Sequence, residues 1–149
     1  MELFPSFPDH SQVWIYAANR FFEQEEVSMV QKVLNDFTAS WAAHGTEIKA
    51  SSAILFRNFV VIVADESSTK ASGCSIDSSV RFIKEIGAKL NIDFFNRLLV
   101  LIEKEGEFKR IHFSELKAHS EWNMFNPMVK TLGEMRTNWF VPVGESSFV

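Results

Sequence analysis

Residues 49–64, KASSAILFRNFVVIVA, hold two strand-like runs, 49–56 and 59–64, separated only by Arg57 and Asn58. So short a gap, with an asparagine that tolerates a left-handed backbone, predicts a tight β-hairpin. The elements on either side of this hairpin decide the fold class. Upstream, the apolar residues Val27, Val30, Leu34, Phe37 and Trp41 recur every three or four positions, as on one face of a helix. Glu23, Glu25 and Glu26 crowd its first turn, where carboxylates meet the positive end of the helix dipole. Gly45 is the expected stop, which places His44 in the last turn. Before this helix, 13–17 (Val-Trp-Ile-Tyr-Ala) reads as a strand, preceded by an irregular arm over 1–11 that contains Pro5 and Pro8.

Downstream of the hairpin, the hydroxyl-rich run 67–79 (SSTKASGCSIDSS) reads first as a loop. Val80, Ile83, Ile86 and Leu90 then return to helical spacing, with Asp77 as the expected N-cap and an end near Asn91. Gly87 inside that helix costs about 1 kcal/mol relative to alanine. Residues 97–103 and 108–113 predict a second hairpin around the turn 104–107. Ser114 is placed to cap a short helix through Leu116, and Thr131-Leu132-Gly133-Glu134 has the form of a capping box opening another toward Trp139.

The order strand, helix, strand, strand, helix, strand predicts an α+β fold. It is that of the ferredoxin-like βαββαβ antiparallel sheet with two packed helices, to which the chain adds a hairpin strand and short C-terminal helices. No repeat, low-complexity tract or Pro/Gly-rich linker interrupts the 149 residues, so 1–149 reads as one domain. This topology gathers distant residues onto two edges. One edge collects Trp41, His44 and Gly45 with Asp65, Glu66, Ser72, Gly73, Cys74, Ser75 and Asp77. The other collects Asn19 and Arg20 with Asp93, Asn96 and Arg97, where structural ion pairing is the expectation.

The first edge holds the chain's only cysteine. A cysteine just before a helix lies near unsatisfied amide hydrogens that stabilise its thiolate. His44 is the expected base and Asp65 the group orienting its imidazole, with the Gly73 and Ser75 amides as oxyanion donors, the pattern of a cysteine-dependent transferase or hydrolase. The leading expectation needs no nucleophile. Amides and hydroxyls over 72–75, with Lys70, Glu66, Asp77 and Trp41 around them, would hold a small anionic ligand or a protein partner. A third reading makes the loop purely structural, its hydroxyls bonded to their own backbone.

Composition excludes several classes. A net charge of −4 and the absence of a basic run argue against nucleic acid. The longest apolar runs fall far short of the roughly 20 residues of a membrane span. No signal-peptide pattern opens the sequence, so a cytoplasmic protein is expected. His10, His44, His112 and His119 lack metal-ligand spacing, and neither a triphosphate loop nor a dinucleotide fingerprint is present, so no metal or cofactor is expected. The 15 phenylalanines and 4 tryptophans suit a well-filled core and equally a homodimer interface.

The segments VWIYAANRFF, WAAHG, ADESS, ASGCSIDSSVRFIKEIG, DFFNR and NWFVPV, spread from Val13 to Val143, carry a resemblance. With SGCSIDSS as its specific part, the chain resembles a family of small uncharacterised bacterial proteins, some labelled ABC transporter ATPases. The missing phosphate loop argues against ATPase activity. The family pattern carries Asp where this chain has Asn96, and the resemblance implies no catalytic residue.

Overall fold

The computed structural model describes residues 3–149, so Met1 and Glu2 of the expected arm lie outside the described residues. The fold is α+β, built on antiparallel sheets. The hairpin forms as strands β4 (Lys49–Leu55) and β5 (Phe59–Asp65), in register from Lys49 opposite Asp65 to Leu55 opposite Phe59. Its left-handed residues are Phe56 (φ 55°) and Arg57 (φ 51°), whereas Asn58 is buried and turned to a different task. Strand β1 (Gln12–Ala17) pairs with the other edge of β5, giving the order β1-β5-β4.

Helix α1 (Gln24–Ser40) and helix α2 (Gly73–Leu90) cover one face of this sheet, where Val60 and Ile62 meet Leu34 and Ile83 in a common core. Helix α1 stops at Ser40. Trp41 turns extended, and the two-residue strands β2 (Ala42–Ala43) and β3 (Thr46–Glu47) form a miniature hairpin. His44 (φ 53°) and Gly45 (φ 79°) are the tip of that hairpin rather than the last turn of the helix. Helix α2 begins earlier than expected. Its N-cap is Ser72, not Asp77: the Ser75 amide donates to Ser72 Oγ at 3.2 Å and the Ser72 amide donates to Ser75 Oγ at 2.6 Å. Asn91, left-handed at φ 56°, ends it.

The ferredoxin-like sheet is not completed. Strands β1, β5 and β4 keep the relative order that arrangement requires, but β6 (Leu99–Lys104) does not pair with β1. It lies inside a second sheet, β7-β6-β8-β9, formed with β7 (Glu107–His112), β8 (Asn123–Phe125) and β9 (Phe140–Pro142). The free edge of β1 is met instead by the chain entering helix α3 (Leu132–Asn138): Val13 N donates to Lys130 O at 3.0 Å and Leu132 N to Ser11 O at 2.9 Å. The physical reason lies in β5. Side chains alternate between the faces of a strand, and here both sets are apolar. Val60, Ile62 and Ala64 face the helices, while Phe59, Val61 and Val63 bury against Leu101, Phe125, Leu132, Met135 and Trp139. Helices on one side alone would leave the second set in water, at roughly 1.5–3 kcal/mol for each large side chain. The second sheet and α3 cover it. Thr131 caps α3 as expected, with Glu134 N donating to Thr131 Oγ1 at 3.2 Å, but the reciprocal bond of a capping box is replaced by one from the Thr131 hydroxyl to Glu134 Oε1 at 3.1 Å.

Arg20 joins the chain before α1 to the end of α2. It forks onto Glu26 at 2.9 and 3.0 Å and donates to Leu90 O at 2.5 Å. The guanidinium, and then the Glu23 amide, hold the Glu26 carboxyl at about 2, below its ordinary 4.5. A depressed carboxyl pKa contributes stability that is complete above the unfolded value and disappears as pH falls through the folded one. The melting-temperature gap between the native chain and Glu26→Gln is therefore expected to close between about pH 4.5 and about pH 2. A gap that stayed constant through that range would show that the ion pair is not formed in solution.

Candidate functional site

The first edge does assemble, though not as a catalytic chain. Trp41 Nε1 donates to Ser75 O at 2.8 Å, which pins the end of α1 to the first turn of α2. Cys74 is exposed in that turn, and Asp77 and Lys70 point to solvent. Among the described residues no hydrogen bond or ion pair joins Cys74, His44 and Asp65. Asp65 instead closes a turn, accepting from Ser67 N at 3.0 Å and Ser67 Oγ at 2.6 Å, and these bonds hold its carboxyl below the usual range. Glu66 accepts from Ala71 N at 2.7 Å. Ser72 and Ser75 satisfy each other, and Ser78 Oγ donates to Ser75 O at 2.7 Å. The polar groups of this loop are spent largely on one another.

The second edge is better furnished. Where the two sheets diverge, a narrow recess open to solvent, with room for about 10 Å³, lies between the end of β1, the 93–96 segment, and strands β6 and β7. Asn19, Asn58, Asp93, Asn96 and Arg110 supply its polar groups, and Ala17, Ala18, Leu99 and Leu101 its apolar wall. The expected ion pairing is not what gathers them. Arg20 pairs with Glu26, and Asp93 accepts from the Phe95 amide at 2.8 Å while its own amide donates to Asn19 Oδ1 at 2.9 Å.

Arg110 and Asn58 are the residues the sequence did not announce. Strand alternation puts Ile111 into the core beneath the second sheet and turns Arg110 toward the cleft. Its guanidinium donates through Nη2 to Asn58 Oδ1 and lies 4.8 Å over the Phe21 ring. Burial pushes its pKa down, because the charged form loses hydration there. Among the described residues it has no carboxylate within ion-pair reach. Phe21 in turn meets Phe108, and the exposed rings of Phe56, Phe108 and Phe140 form an aromatic rim at this end of the molecule.

Among the described residues no cluster of His, Cys, Asp and Glu could hold a metal ion, and no helix is long and apolar enough to cross a membrane. No protein-family model matches the chain, and neither the curated proteins nor the solved structures offer a match to it.

Proposed function

We propose that this protein is a non-covalent binding module for a small molecule, with the cleft between the two sheets as its site. One observation carries the reading: polar side chains from β1's end, the β4–β5 turn, the 93–96 segment and β7 converge on one concavity with a short apolar wall. A few convergent polar groups beside an apolar wall are the usual lining of a small-molecule site, and because the recess itself is so small the ligand seats across its mouth, against the exposed Asn19, Asp93 and Asn96. The loop over 66–77 has less support, since Glu66, Ser72 and Ser75 are already engaged within it. The cysteine-dependent alternative also has less support, because no base is hydrogen-bonded to Cys74 among the described residues.

The test is a fragment screen by amide chemical shifts on the full chain, using small neutral and charged compounds. Hits are expected to move the amides of 17–19, 58 and 93–101 together. Leu99→Trp, which blocks the mouth of the recess from its apolar wall, is expected to abolish those shifts while the rest of the spectrum is kept. Hits that cluster on 66–77 and ignore Leu99→Trp would move the site to the Cys74 edge.

A further inference from the structure

The cleft has a one-sided chemistry. Arginine can only donate, so its bond to Asn58 fixes that amide with Oδ1 toward the guanidinium and Nδ2 away from it. Asn58 is 1% exposed, yet its Nδ2 has no acceptor among the described residues. Asn19 and Asn96, both exposed, repeat the pattern. Their Oδ1 atoms accept from Asp93 N at 2.9 Å and Leu98 N at 3.1 Å, and neither Nδ2 has an acceptor within the described residues. Nε and Nη1 of Arg110 are in the same position. The side-chain oxygens of all three asparagines are thus engaged by the protein, and what the cleft offers a ligand is donors and one positive charge.

A group rich in acceptors and carrying negative charge complements such a wall. Asp93 decides between oxyanions. One of its oxygens accepts from Phe95 N at 2.8 Å, but its charge stays in the wall and opposes a second negative charge on the ligand. Building on the cleft as a small-molecule site, we infer that its ligand carries a carboxylate. The guanidinium of Arg110 holds that carboxylate at the mouth of the recess, where the exposed amide groups of Asn19 and Asn96 donate to it, while Asn58, bonded to the guanidinium, positions it.

The experiment is a titration of the isotope-labelled full chain with sodium acetate, sodium phosphate and neutral acetamide, at an ionic strength held constant with sodium chloride. Acetate is expected to shift the Arg110 Nε–H and the Asn58 side-chain NH2 resonances in a saturable way. Phosphate is expected to bind more weakly, and acetamide not to bind. Arg110→Met is expected to weaken acetate binding by about tenfold or more. Asn96→Ala, at an exposed position that leaves the fold intact, is expected to weaken it by about threefold. Acetamide binding as tightly as acetate would overturn the charge assignment and leave the cleft as a site for neutral ligands. Tighter binding of phosphate would overturn the choice of carboxylate. If no probe moves these resonances, or if neither variant changes their response, the oxyanion site is refuted. The fragment screen then shows separately whether the cleft binds anything.

Discussion

Gly87→Ala is expected to destabilise the protein by about 2 kcal/mol, although alanine is the better helix former by about 1 kcal/mol. The position lies in the last turns of α2, where the chain reverses through the left-handed Asn91 and folds back over the helix. Ile92 N donates to Gly87 O at 2.9 Å, which draws the returning backbone onto the glycine. A Cβ added there would stand 2.5 Å from Ile92 O and 3.4 Å from Phe94 Cδ2. The first contact is with backbone, which cannot rotate away as a flexible side chain could. Relief requires the 91–94 segment to lift, and with it Ile92 and Phe94, both buried in the helix-face core beside Phe22. That segment also carries Asp93 to the cleft, so the substitution is expected to weaken ligand binding as well as stability. Urea unfolding of Gly87→Ala beside Gly73→Ala checks this, because a Cβ at Gly73 meets nothing within 4 Å. A Gly87→Ala midpoint at or above that of the native chain would refute the close approach.

The same glycine shows where reading the sequence succeeds and where it stops. Features made by neighbours along the chain are legible: the β4–β5 hairpin, the α1 stripe, and the Thr131 N-cap whose partner Glu134 lies three residues on. Gly87 read as a small cost to a helix, because nothing local announces that backbone five residues later will press against it. The start of α2 was missed because hydroxyl-rich residues favour turns, and its cap is a serine pair rather than the usual hydroxyl and carboxylate. A signal for the second sheet was present in the unbroken apolar run 59–64, since a strand buried on both faces shows no alternation. The pairing of the strands follows the expected topology only until that second face needs cover. For the site, the topology does bring Asn19, Asp93 and Asn96 to one edge, but residue types alone suggest ion pairing there. Asn58 looked like the left-handed turn residue. Its engagement by Arg110, 52 positions away, is a tertiary fact that no local pattern encodes.

Arg136→Met is expected to cost about 3 kcal/mol and to release the N-terminal arm from the body of the protein. The arm lacks regular structure, as its sequence suggests, yet it is held as firmly as a packed element. From α3, Arg136 donates through Nη2 to Leu3 O at 2.8 Å, Phe4 O at 2.8 Å and Phe7 O at 3.0 Å, and through Nε to Leu3 O at 3.1 Å. Nη1 reaches Asp9 Oδ1 at 2.6 Å. The Arg136 side chain is only 16% exposed, so these bonds are shielded from water to a degree that surface ion pairs are not. They also satisfy carbonyls that an arm without a strand partner would leave unpaired. Phe7, buried in the inter-sheet core with Val13 and Leu132, depends on that clamp to stay in place. Methionine keeps the apolar stem and removes every donor. Arg136→Lys keeps the charge, but a single ammonium cannot serve the carbonyls that Nη2 meets and also replace the Nε bond to Leu3 O and the Nη1 bond to Asp9, so it is expected to recover less than half of the loss. Urea unfolding separates local release from a uniform loss of stability. If the arm detaches before the body unfolds, less surface remains to be exposed, and the slope of stability against denaturant falls together with the midpoint. A lower midpoint at unchanged slope would mean that the arm stays docked through Phe7, with Arg136 adding stability alone; an unchanged midpoint would refute the clamp.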